Sequence, residues 1–195
     1  FERDPDGGFS RGHVYTRDTN PNRAELETRL AQLEQGGAVA LAFSSGMATF
    51  MNLIQSLHTG AHVIAPNDIY FGVQRLLREV FGDWGLQVTF VTASDVRQIE
   101  SAIRPNTKLI LIETPSNPMM NLTDIRAIAE LAHANGALLV CDNTIATPIF
   151  QHPLALGADA VIHATTKYLG GHSDVLGGAI ILKDPTHPLF SRLQV

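Results

Sequence analysis

The chain has 195 residues, with 14 Lys+Arg against 19 Asp+Glu and a formal net charge of −5. Its 45% hydrophobic and 17% charged residues are the composition of a folded domain with a sizeable core and exclude a disordered segment. The acidic balance argues against a nucleic-acid partner, no stretch reaches the roughly 18 apolar residues of a membrane span, and the one cysteine excludes an internal disulfide framework and fits a reducing, cytoplasmic compartment.

Residues 1–20 are polar and Gly-rich, with no apolar period, and read as an extended N-terminal arm. The opening Phe1-Glu2-Arg3-Asp4-Pro5-Asp6 resembles neither a signal nor a transit peptide and lacks an initiator Met. The last residues, Leu193-Gln194-Val195, fall just after the start of a helical pattern, so both ends read as cuts in a longer polypeptide. Asn20-Pro21 opens a helix, with Asn as N-cap and Pro at the first helical position. Leu26, Leu30 and Leu33 fall on one face of it, and Gly36-Gly37 ends it.

Seven short apolar runs then follow as buried strands: 38–43, 62–65, 87–91, 109–113, 137–142, 160–163 and 179–182. Helical patterns over 46–57, 70–81, 95–103, 125–135 and 149–156 lie between most of them. Strands apolar on both faces and separated by helices predict an α/β domain over 21–195, with a mostly parallel seven-stranded sheet sandwiched by helices. Ligands of such sheets bind beyond the carboxyl ends of the strands.

The residues just after each strand therefore carry the functional argument. Ser44-Ser45-Gly46-Met47 enters a helix, where free N–H groups and the dipole favour a phosphate; the plain alternative is a Ser45 N-cap. Asp142 ends a buried apolar run, and either faces a ligand cation or caps a loop with Asn143. Cys141 reads as a small buried hydrophobe. Lys167 lies between a buried strand and Gly170-Gly171, where burial would lower its pKa and make it nucleophilic; the alternative is a surface charge. Thr114-Pro115-Ser116-Asn117-Pro118 is a rigid turn able to aim Asn117, or merely a turn. His163, His172 and Asp174 match no zinc spacing, so no metal is expected, and His163 reads as a satisfied histidine near the core. No glycine fingerprint of a nicotinamide-binding domain follows the first strand.

A phosphate cradle at one strand end, an aspartate at another and a lysine 25 residues after it meet the needs of pyridoxal 5'-phosphate. The segments Tyr15-Thr16-Arg17…Asn20-Pro21, Ser44-Ser45-Gly46-Met47, Glu113-Thr114-Pro115-Ser116-Asn117-Pro118, Cys141-Asp142-Asn143-Thr144 and Thr166-Lys167-Tyr168-Leu169-Gly170-Gly171-His172-Ser173-Asp174 add to this. In that order they resemble the transsulfuration family of pyridoxal-phosphate enzymes of cysteine and methionine metabolism, over nearly the whole chain. The resemblance implies the large domain of a fold type I transferase. It implies that Lys167 carries the cofactor as a Schiff base and shuttles protons, that Asp142 keeps the pyridinium nitrogen protonated, and that Tyr70 stacks on the ring. Gly46, Met47 and Thr166 would bind the phosphate, Asn117 would lie near the ring oxygen and the substrate, and Tyr15 and Arg17 would reach the phosphate of a neighbouring subunit. Catalytic roles would fall to Lys167, Tyr70 and Tyr15.

Two segments depart from the family pattern. Ala164 stands where relatives often have a Ser that donates to the phosphate. Phe71-Gly72-Val73 replaces the usual Gly-Gly-Thr, and Gly72 occupies the place of the Cys of methionine γ-lyases. The resemblance also implies a C-terminal small domain, absent here, that supplies an arginine for the substrate carboxylate. The expected activity is carbon–sulfur bond chemistry on a cysteine- or homoserine-type amino acid, of the cystathionine γ-synthase or cystathionine lyase type. O-acylhomoserine sulfhydrylase and methionine γ-lyase are the alternatives within the family. A truncated, non-catalytic cofactor-binding module is the alternative outside it. Relatives imply a homo-oligomer, a dimer of dimers.

Overall fold

A computed structural model describes residues 2–194. The chain order is α1 (Pro21–Leu33), β1 (Val39–Phe43), α2 (Gly46–Gln55), β2 (His62–Pro66), α3 (Phe71–Arg75), a π-helical continuation (Leu76–Phe81), β3 (Gln87–Val91), α4 (Val96–Ala102), β4 (Thr107–Glu113), α5 (Ile125–Ala134), β5 (Leu138–Asp142), α6 (Thr147–Phe150), β6 (Ala160–His163), β7 (Gly178–Leu182) and α7 (Pro188–Leu193).

The seven strands form one sheet in the order β1-β7-β6-β5-β4-β2-β3. β3, β2, β4, β5 and β6 run parallel, while β7 is antiparallel to both β6 and β1. Each central strand is apolar on alternate positions toward two different cores, as a period of two requires. Val63, Leu109, Leu111, Val140, Ile162 and Ile180 face a cluster that includes Phe50, Leu53 and Ile54 of α2 and Val73 of α3. Ile64, Ile110, Ile112, Leu139 and Cys141 face Ile99 of α4 and Ile125, Ile128 and Ala132 of α5. Val161, Ala179 and Ile181 pack on Leu30 and Ala31 of α1. The result is the three-layer α/β arrangement that the apolar runs predict.

Asn20 caps α1, its Oδ1 accepting from Asn22 N at 2.9 Å and Arg23 N at 3.1 Å. The stripe expected on α1 is only partly used. Leu30 is buried, whereas Leu26 and Leu33 remain about half exposed. The helix expected over 149–156 is also shorter, ending at Phe150. Gln151 is already extended, and Pro153 lacks an N–H and disfavours a helical His152. Consequently Ile149 and Phe150 are exposed and do not pack into the core.

Candidate active site

Parallel strands bring the ends of β2, β4, β5 and β6 to one edge of the sheet. β7 starts at that same edge because it runs in reverse, Gly178 pairing with Phe43. A Cβ on Gly178 would collide with the Ser45 carbonyl, so glycine there lets β7 lie against the entry to α2.

Asp142 ends β5 and is buried. Its Oδ1 accepts from Thr144 N at 2.9 Å and from Thr144 Oγ1 at 2.5 Å. Thr144 Oγ1 in turn accepts from Ala164 N at 2.9 Å, tying the Asp142 loop to the segment that leads to Lys167. Burial pushes the Asp142 carboxyl above the usual range, while the Thr144 bonds and the field of His163 act in the opposite sense. No ion pair and no bond to Oδ2 is formed among the described residues. A buried carboxylate in that position favours a cationic ligand.

The loops around Asp142 rest on a buried polar network. His163 Nε2 donates to Glu34 Oε1 at 2.6 Å, and both side chains are inaccessible. Asn143 Nδ2 donates to Glu34 Oε1 at 3.2 Å and to Gln151 O at 3.0 Å. Gln151 Nε2 donates to Asn143 Oδ1 and to Thr114 O, which reaches the loop after β4. His163 is thus held in the interior, as its place in an apolar strand suggests, and His172 instead lies against Gly170 O.

At the end of β4, Glu113 sits directly opposite Asp142 and is buried. Its Oε2 accepts from Tyr70 N at 2.7 Å and its Oε1 from Asn117 N at 2.8 Å. Burial, then repulsion from Asp142, raises its pKa to about 7; the two N–H donors pull the other way, and Asp68 adds a further push upward. Asp68 joins the same two loops from the other side. Its Oδ2 accepts from Ser116 Oγ at 2.6 Å and Asn121 Nδ2 at 2.8 Å. The Thr114–Pro115 and Asn117–Pro118 peptides are both cis.

Ser45 caps α2, its Oγ accepting from Ala48 N at 3.0 Å, while Ser45 O accepts from Thr49 N. The N–H groups of Gly46 and Met47 have no acceptor among the described residues. Ser45 as cap and the first-turn N–H groups as an anion site are therefore compatible. Tyr70 opens α3, and its ring edge lies beside Gly72 and Met47. A Cβ on Gly72 would come within 2.8 Å of Tyr70 Cε1 and 3.0 Å of Met47 Sδ. The Cys of methionine γ-lyases could not enter here without moving that ring.

Lys167 lies in a tight turn after β6, Lys167 N donating to Ala164 O and Gly171 N to Lys167 O. It is exposed rather than buried, because residues 171–176 are themselves exposed and bring no apolar cover. Thr166 Oγ1 donates to Gly177 O at 3.1 Å and accepts from Gly177 N at 3.0 Å, clamping the strand that begins β7. Tyr15 and Arg17 are exposed, with the guanidinium 5.3 Å from the tyrosine ring. Arg23 holds their turn through Arg17 O and Asp18 O. No bond ties either residue to Gly46, Asp142 or Lys167 among the described residues. The structure thus collects Gly46, Met47, Tyr70, Asn117, Asp142, Thr166 and Lys167 at one sheet edge and leaves the arm pair apart.

Sequence reasoning assigned no role to Glu113, Asp68, Thr144 or Glu34. For Glu113 a signal existed: like Asp142, it is a carboxylate closing a buried apolar strand. The other three declare themselves only through their partners.

The profile of the Cys/Met metabolism PLP-dependent enzymes matches residues 3–194. The chain belongs to that family. It is 50% identical over 185 residues to a cystathionine gamma-synthase of Mycobacterium tuberculosis, covering 94% of this chain and 47% of the relative. It is 46% identical over 179 residues to a cystathionine gamma-lyase of Bacillus subtilis, covering 92% and 47%. The crystal structure of metB from Corynebacterium glutamicum superimposes with a TM-score of 0.94 at 45% identity, covering all of this chain and 50% of that one. The chain spans about half the length of the curated relatives it matches. The family's cofactor is pyridoxal 5'-phosphate. The residues present fit it, with a buried carboxylate that has no ion-pair partner among the described residues for a pyridinium, free helix N–H groups for a phosphate, and the exposed amine of Lys167 in the turn after β6.

Proposed function

We propose that the protein to which this chain belongs breaks or forms carbon–sulfur bonds of cysteine- or homoserine-type amino acids, as a cystathionine γ-synthase or cystathionine lyase. The observation that carries the proposal is the shared edge of Asp142, Lys167 and the α2 N-terminus. Bound pyridoxal phosphate supplies an electron sink that makes the substrate's α-proton removable. Asp142 holds a proton on the ring nitrogen by presenting a buried negative charge. Gly46 and Met47 N–H groups bind the phosphate, and Thr166 shapes the adjoining wall through Gly177. Tyr70 presents its ring to one face of the site beside Met47, and Asn117 orients the ring oxygen and the substrate. Lys167 would hold the cofactor through its side-chain amine, and that amine, when free, would take and return the substrate's α-proton. Tyr15 and Arg17 extend to the phosphate of a neighbouring subunit, which supports a homo-oligomer. The relatives' names and the amino-acid chemistry support a cytoplasmic enzyme, and no helix among the described residues is long and apolar enough to cross a membrane.

Two measurements test this on the full-length protein. Borohydride reduction of the cofactor-loaded protein followed by a tryptic map should place the pyridoxyl group on Lys167; its appearance on Lys108 or Lys183 overturns the assignment. Incubation with cystathionine, and separately with an O-acylhomoserine plus cysteine, should yield cleavage or cystathionine. A protein that binds cofactor yet converts neither, nor methionine, nor an O-acylhomoserine plus sulfide, is the non-catalytic module.

A further inference from the structure

Glu113 is buried at the end of β4, and each of its two oxygens accepts one backbone N–H: Oε2 from Tyr70 and Oε1 from Asn117. Those donors come from different loops, 43 residues apart for Tyr70 and 4 for Asn117. Asp68, bonded to Ser116 and Asn121, closes the same gap between the loops. The charged groups facing Glu113 are all acidic: Asp142 across the β4–β5 register and Asp68 from the β2–α3 loop, with the Cys141 thiol on the neighbouring strand. No cation neutralises this cluster among the described residues.

We propose that Glu113 is a positioning residue whose carboxylate sets Tyr70 and Asn117 as one unit, and whose charge depends on whether a cation sits on Asp142. This rests on the pyridoxal-phosphate reading above and extends it. Only the ionised carboxylate offers full acceptors to both N–H groups; a proton on either oxygen weakens one of the two bonds. Burial and, after it, repulsion from Asp142 favour that proton, in keeping with a pKa raised to about 7. A pyridinium at Asp142 cancels the repulsion. The proton then leaves Glu113 for solvent, and both loops tighten on the cofactor. The sign follows: below pH 7 cofactor uptake must release a proton from Glu113, so affinity rises with pH up to about 7 and levels off above it.

The test uses the full-length protein stripped of cofactor, its Glu113→Gln and Glu113→Asp variants, and pyridoxal phosphate as the probe. Hydrogen-exchange protection of the Tyr70 and Asn117 amides in the unloaded wild type should rise together through pH 7. In Glu113→Gln it should be lower and flat with pH. The ratio of wild-type to Glu113→Gln affinity should climb by up to about tenfold per pH unit below 7, the cofactor's own titrations cancelling in the ratio. Glu113→Asp, too short to span both donors, should keep the pH dependence while losing protection at one of the two amides. The proposal is overturned if the two amides respond independently, or if Glu113→Gln follows the wild-type pH profile. Should Glu113→Gln not fold, Glu113→Asp decides through the same two readouts. Failure of the wild type to take up pyridoxal phosphate would sink the functional reading, while exchange at Tyr70 and Asn117 still decides the joint.

Discussion

At Gly46 the first turn of α2 touches the segment that carries Lys167. A Cβ there would lie 2.8 Å from Ala164 Cβ and 3.1 Å from its Cα. Neither atom is the end of a flexible side chain, so Gly46→Ala must push the start of α2 and the lysine segment apart. We expect a loss of about 1–3 kcal/mol in stability with weaker cofactor binding, read by thermal melting and absorbance titration. Ala164→Ser has the opposite effect. It adds a hydroxyl beside the anion site where Gly46 leaves room, and a hydrogen bond to a charged group is worth about 1.5–3 kcal/mol. Cofactor affinity should rise by roughly ten- to a hundredfold, and an unchanged dissociation constant would show that the hydroxyl does not reach the phosphate. Asp142→Ala should leave the lysine reactive but remove the charge proposed to keep the ring nitrogen protonated. Turnover should fall at least about a hundredfold, near 2.7 kcal/mol of barrier; near-normal turnover would refute the role of Asp142.

At the scale of elements, polar contacts between secondary-structure units decide how the strand ends are held. The His163–Glu34 pair joins the C-terminus of α1 to β6, and Asn143 adds the start of the β5 loop. Removing one member of a buried pair leaves the other uncompensated. Glu34→Ala leaves the buried donors of His163 and Asn143 without their acceptor and should therefore cost about 1–3 kcal/mol in denaturant melts, above an exposed pair such as Arg29–Glu25. His62 plays a similar part between β2, β4 and β3, its ring nitrogens 2.7 Å from Thr107 Oγ1 and 2.9 Å from Thr89 Oγ1. Burial, helped by Arg104, lowers its pKa from 6.5 to about 4. The unfolded chain then binds more protons than the folded one, so stability from this group is complete above about pH 6.5 and is lost as pH falls toward 4. Glu113, raised to about 7, acts in the opposite direction between its ordinary value and neutrality. The comparison that isolates His62 is its replacement by Gln. The variant's unfolding free energy should fall less than that of the wild type between pH 6.5 and 4.

For the whole molecule, the seven-stranded order places every strand end named above on one side and leaves Tyr15 and Arg17 outside that cluster. If the arm serves a neighbouring subunit, full-length Arg17→Ala and Lys167→Ala chains, each inactive, should complement each other. A hybrid dimer places both defects in one site and leaves the other site whole, so about half the wild-type activity per dimer should return. Mixed oligomers with no recovered activity, or a fully active monomer in light scattering, would remove the arm from the site.

The apolar runs alone were enough to predict all seven strands and the helices between most of them, because a central strand buried on both faces reads as a nearly unbroken run of Val, Ile, Leu and Ala, while the edge strands β1 and β3 keep shorter, partly exposed runs. The buried carboxylate at the end of β5, Asp142, was legible for a related reason. Polar residues abutting such runs are costly unless used. What the sequence could not decide is which distant backbone group each side chain meets. Glu113 carries its carboxylate openly, yet its task depends on an N–H of Tyr70, which only the β2–β4 pairing brings near. Glu34 reads as an ordinary helix-end glutamate until His163 arrives across 129 residues. The exposure of Lys167, the early end of α6 and the unused Leu26 and Leu33 share that origin. Burial is a property of what packs on top, and packing is settled in three dimensions by chain segments that local periodicity does not connect.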